Sequence, residues 1–293
     1  GGGGRSGLIR GQQRTMEESM FLQWDGIEGV NDVIMVALPA ANAQSDSAGT
    51  FFNWYTRSES IFQMSCSGDC NTDDLGFLTR AVEILKQELT GIGRTAAFGH
   101  SSGGNLLYSL FMKNIVDGTP NPVDALGISG AGISKLSSDE YLGSAAWNGF
   151  NAPPEPSSGM NEIHSSLQIC IAHGTDDSQV AWGGGDDMPD DMVQNTGGFL
   201  AHESGLQPFL REAQCCNNDA VEFSVMGTAG GATVHKQVHD ECGASTGTGD
   251  ALTVYKIDGG GHIWSAQWPL ILPDLLTCLT VAPSSASGGT CSS

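Results

Sequence analysis

Short apolar runs alternate along this chain with longer segments whose apolar residues recur at helical spacing, and the alternation predicts strands and helices in turn. Val33–Leu38 is a buried strand that ends at Pro39, and residues 40–70 are a loop carrying the aromatic cluster Phe51, Phe52, Trp54 and Tyr55. Leu75, Leu78, Val82, Leu85 and Leu89 fall on one helical face, which predicts a helix over 75–89. Asp73 and Asp74 suit its free N–H groups and dipole, and Gly91 and Gly93 end it. A strand at 95–98 and a helix through 106–112 follow, then a short strand at 125–128. Residues 134–158 are loop-rich, with Pro153, Pro154 and Pro156. A strand at 167–172, a helix at 196–213, strands at 221–226, 233–238 and 252–257, and a helix at 270–280 complete the order. Strands alternating with helices predict an α/β fold: a mainly parallel, doubly wound sheet with helices on both faces. No linker interrupts it, so residues 1–283 read as one domain, followed by a Ser/Gly-rich tail at 284–293.

Composition narrows the partners. The 293 residues include 33 Asp plus Glu against 12 Lys plus Arg, a formal net charge of −21. Such a surface disfavours nucleic acid and anionic membranes, both of which select basic patches. It reads as a soluble, self-repelling exterior. No apolar run is long enough to span a bilayer. The eight cysteines lack zinc-site spacing and read as disulfides of a secreted protein. Cys66 with Cys70 and Cys278 with Cys291 are local pairings; Cys215 or Cys216 could reach Cys242; Cys170, inside an apolar run, reads as a buried thiol. The acidic run from Asp186 to Asp191 is a solvated face, with calcium binding as the lesser reading.

The chemistry gathers at three strand ends. Gly99-His100-Ser101-Ser102-Gly103 lies between a strand and a helix, the setting of a nucleophile elbow, in which a sharp turn exposes the serine and needs glycine on either side. His173-Gly174-Thr175-Asp176-Asp177 leaves the 167–172 strand, and Gly259-Gly260-Gly261-His262 leaves the 252–257 strand. Parallel strands bring their C-terminal ends to one edge, so Ser101 as nucleophile, His262 as base and an acid from Asp176 or Asp177 can meet there. Spacing alone leaves the acid open. His100 reads as pointing away from the nucleophile, and His173 as bonding locally. The Ser102 amide is one oxyanion donor, and a Gly1 or Gly2 amide from the opening Gly1–Gly4 loop is the other.

These motifs resemble the polyhydroxybutyrate depolymerase, feruloyl esterase and acetyl-xylan esterase group of α/β-hydrolases. Asp73-Asp74-Leu75-Gly76-Phe77 is similar to that group's helix start. Gly99–Gly104 is similar to its elbow, with Ser102 where Asn is common, and Gly183-Gly184-Gly185 falls where the group has a Gly-rich loop. Gly259-Gly260-Gly261-His262-Ile263-Trp264 is similar to its histidine motif. The resemblance implies Asp177 as the acid, an α/β-hydrolase fold, and no metal or organic cofactor. It also implies a disulfide near Cys216 (or Cys215) and Cys242. The implied activity is hydrolysis of polymer-linked esters outside the cell, on feruloyl or acetyl polysaccharide or on polyester. Trp264, Trp54 and Trp182 are candidate walls for the substrate, although plain packing fits each as well. Two departures stand out: Ser265 replaces a usual Pro, and the chain opens inside the Gly-rich oxyanion loop. N-terminal strands are therefore expected upstream of Gly1.

Overall fold

The computed structural model describes residues 73–154, 167–187, 196–214, 216, 222–242, 250–263 and 265–281, and the backbone of strands at 42–46 and 49–53. The expected strand at 33–38 and the tail at 284–293 lie outside the described residues. Strands β1 (Asn42–Asp46) and β2 (Gly49–Asn53) pair antiparallel. This corrects the expectation of loop across 40–70.

The main sheet contains β3 (Ala96–His100), β4 (Ala125–Ser129), β5 (Gln168–Gly174), β6 (Ser224–Ala229), β7 (Ala232–Cys242) and β8 (Asp250–Asp258), in the spatial order β3-β4-β5-β8-β7-β6. The β3–β4, β4–β5 and β5–β8 pairs are parallel, and β7 and β6 continue the sheet antiparallel. Among the described residues the α-helices are α1 (Asp74–Glu88), α2 (Ser102–Asp117), α3 (Lys135–Tyr141), α4 (Gln207–Ala213) and α5 (Trp268–Thr280). The fold is therefore α/β with a mostly parallel mixed sheet. Helix α3 falls in the stretch expected to be loop. The helix expected over 196–213 is shorter: a π-helical turn at His202–Leu206 runs into α4.

The pleat of the sheet divides the core in two. Leu126, Ile128, Ile169, Ile171, Leu252 and Val254 pack with α1, α2 and α4 on one face. Their neighbours Ala125, Cys170, Ala172, Tyr255 and Ile257 pack with Ile271, Leu275 and Leu279 of α5 on the other. Helix α1 starts as its residues demand: Asp73 Oδ1 accepts the Gly76 N–H at 2.8 Å. On the α5 face, Cys170 of β5 is bonded to Cys278 of α5, with Cα atoms 6.5 Å apart. That corrects two readings, Cys170 as a free thiol and Cys278 as the partner of Cys291. Cys278 projects from the inner side of α5, where β5 is its neighbour. Cys216 is also in a disulfide. Among the described residues, no helix is long and apolar enough to cross a membrane.

Candidate active site

The four parallel strands end at one edge, and each delivers a piece of the site there. Ser101 stands between β3 and α2 with φ 55 and ψ −121, the one non-glycine residue with positive φ among those described. Such a conformation costs about 1–3 kcal/mol and persists where its surroundings impose it. Here the Ser101 N–H donates to the Ser129 carbonyl at 2.9 Å, and the Asn105 N–H donates to the Ser101 carbonyl at 3.0 Å. The turn leaves no room at Gly99, where a Cβ would sit 2.4 Å from the backbone of Gly103.

The loops that leave β5 and β8 are fastened to each other. The Thr175 N–H donates to the Ile257 carbonyl at 2.9 Å, the Asp176 N–H to the Gly260 carbonyl at 2.8 Å, and the Gly259 N–H to Thr175 Oγ1 at 2.9 Å. These bonds turn Asp176 outward and Asp177 inward. Asp177 Oδ2 lies 2.7 Å from His262 Nδ1, and His262 Nε2 lies 3.0 Å from Ser101 Oγ. A carboxylate only accepts, so Nδ1 carries the proton and Nε2 is left to accept the serine hydroxyl proton.

The Asp177 side chain is fully buried. Burial alone would raise its pKa. Hydrogen bonds from His173, His262 and the Val180 amide outweigh that and hold the carboxyl well below its ordinary range. Its other oxygen, Oδ1, accepts the Gln179 and Val180 N–H groups at 2.8 and 2.9 Å.

Two histidines near this line were underrated by the sequence. His100 lies against His262, with ring centres 5.0 Å apart, and its Nδ1 is 2.9 Å from Ser129 Oγ. The expectation that it points clear of the site is corrected: the pleat places His100 on the face of Phe98 and Ser129, over which the His262 loop folds. Burial, and then the neighbouring His262, lower its pKa to about 4. His173 Nε2 is 3.3 Å from Asp177 Oδ2.

Ser102 opens α2, and its N–H is one of the first-turn donors that a helix cannot satisfy internally. Trp182 is 9% exposed. Its ring stacks on His202 at 4.5 Å, its N–H donates to Glu203 at 3.3 Å, and the Lys256 ammonium lies 5.5 Å from its centre. It belongs to the packing behind Asp177 rather than to an open wall. Gly1, Gly2, Trp54 and Trp264 lie outside the described residues. Ile263, beside His262, is 70% exposed. Among the described residues no cluster of His, Cys, Asp and Glu is disposed to hold a metal ion. The hydroxyl, imidazole and carboxylate in series can move a proton from Ser101 to His262 and balance the charge that results. No protein-family model matches this chain, and no curated protein matches it.

Proposed function

We propose that this chain is a serine carboxylic-ester hydrolase with an α/β-hydrolase fold, similar to the polyhydroxybutyrate depolymerase, feruloyl esterase and acetyl-xylan esterase group. The observation that carries the reading is the unbroken path from Ser101 Oγ through His262 to Asp177 Oδ2. In the proposed reaction Ser101 attacks the ester carbonyl while His262 Nε2 takes its proton. Asp177 holds the imidazole in the needed tautomer and stabilises the imidazolium. His262 then returns the proton to the departing alcohol, and a water molecule repeats the sequence on the acyl-enzyme to release the acid. The Ser102 amide, at the positive end of α2, faces the developing oxyanion; such a donor contributes about 3 kcal/mol. The substrate class is an ester on a polymer, polysaccharide or polyester. The buried Cys170–Cys278 bond supports action outside the cell.

The test is covalent labelling by a fluorophosphonate together with hydrolysis of p-nitrophenyl acetate. The wild-type protein labels once, at Ser101, and turns over the ester. Ser101→Ala abolishes the label and lowers kcat by about 10⁴-fold or more. Folded wild-type protein that takes no label refutes the reading. A panel of ferulate, acetyl-xylan and polyester film then separates the substrates.

A further inference from the structure

The tail of the hydrogen-bond path does not end at Asp177. His173 is the last-but-one residue of β5, wholly buried, four residues before Asp177. Its Nε2 lies 2.6 Å from the Val180 carbonyl and 3.3 Å from Asp177 Oδ2. A carbonyl cannot donate, so Nε2 carries the proton and donates it to Val180, with Asp177 Oδ2 as a second acceptor 3.3 Å from the same nitrogen. The Val180 N–H in turn donates to Asp177 Oδ1. A single side chain thus lies against one oxygen of the carboxylate and bonds the carbonyl of Val180, the residue whose own amide holds the other oxygen.

The ring itself has little freedom. His202 lies behind it with ring centres 4.1 Å apart, and Trp182 lies flat on His202, 7° from parallel. The His202 N–H donates to the Trp182 carbonyl at 2.9 Å, which closes the 177–182 turn around the stack. The titratable groups facing Asp177 are His173 from β5, His262 from the loop after β8, and His202 and His100 farther out.

We propose that His173 is a positioning residue for the reaction: its Nε2–H, bridging Asp177 Oδ2 and the Val180 carbonyl, keeps Oδ2 in line with His262 Nδ1. The assignment rests on the hydrolase reading above. Both oxygens within reach of Nε2 belong to the turn that carries the acid.

The experiment compares His173→Phe, which keeps a ring and loses the donor, with His173→Gln, whose amide can donate from the same reach. With p-nitrophenyl acetate, His173→Phe lowers kcat by about 10- to 100-fold with KM unchanged, and the acid limb of kcat/KM is displaced. His173→Gln recovers most of the rate. A folded His173→Phe with wild-type kcat and an unmoved acid limb overturns the proposal, as does a glutamine variant no better than phenylalanine. Two readouts need no turnover, and the first needs no variant. In ¹⁵N-histidine spectra of the wild type, His173 shows a protonated Nε2 at neutral pH; a bare Nε2 overturns the assignment. The low-field Nδ1–H resonance of His262 shifts in either folded variant, and an unchanged resonance in His173→Phe counts against it. A wild-type protein that takes no fluorophosphonate is a failure of the hydrolase reading, whereas equal labelling rates in wild type and His173→Phe are a failure of this one.

Discussion

At the scale of single residues, charge is set by what each group touches. Asp177 is buried and His100 partly so, yet their ionisation runs opposite ways. Asp177 keeps its charge because hydrogen-bond donors surround it; His100 is held neutral because burial and His262 both resist a second positive charge. The consequence is acid lability. Above pH 6.5 His100 is neutral in both folded and unfolded chains. As the pH falls from 6.5 towards 4 the unfolded chain takes up the proton first, and stability is lost across that window. The full gap corresponds to about 3 kcal/mol. His202, also pushed below its ordinary value by burial, adds in the same direction. Asp177 acts lower: its contribution is present above 3.8 and is lost as the pH falls through its depressed folded value. We expect the Tm of His100→Phe to fall less between pH 7 and pH 4.5 than that of the wild type, in calorimetry at fixed salt. Parallel curves would assign the acid loss to other groups.

At the scale of elements, the site depends on two loops lying in contact. Gly174 ends β5, and a Cβ there would stand 2.1 Å from the Gly260 carbonyl oxygen and 2.5 Å from that of Gly261. Backbone cannot yield as a flexible side chain can, so Gly174→Ala must part the loops that carry Asp177 and His262. We expect a loss of about 2 kcal/mol or more in urea unfolding, with a fluorophosphonate labelling rate that falls further than stability alone explains. Gly183→Ala, where nothing lies within 4 Å, is the control and should unfold like the wild type. The two strand ends were legible in the sequence because an apolar run meeting a polar, Gly-containing segment is a local signal. The choice between Asp176 and Asp177 was not legible in spacing, since it is made by the bond from the Asp176 amide to Gly260, far away in the chain. The Cys170–Cys278 pair was hidden for the same reason: 108 residues separate its members, and the packing of α5 on β5 brings them together. His100 was misjudged because its direction follows from the pleat and from the His262 loop above it, not from the turn at Ser101.

For the whole molecule, the parallel order of β3, β4, β5 and β8 is what turns distant segments into one site, and this much followed from the alternation of strands and helices. The antiparallel end of the sheet carried no comparable signal, because β7 alternates only weakly and pairs by tertiary context. Net charge also acts at this scale. A formal charge of −21 opposes the chain's own folding, because the unfolded chain holds the same charges farther apart. Ion pairs such as Lys236 with Asp274 and Lys256 with Glu203 offset part of this, but partly exposed pairs contribute about 0–1 kcal/mol each. Twelve basic residues against 33 acidic ones leave a large excess of carboxylates. Salt screens the long-range repulsion first: the Debye length falls from about 30 Å at 0.01 M to about 10 Å at 0.1 M, whereas a contact pair is screened much less. We therefore expect Tm at pH 7 to rise between 0.01 and 0.1 M sodium chloride and to flatten above that. A Tm that falls over the same range would mean that local pairs, rather than summed repulsion, govern the electrostatics of this fold.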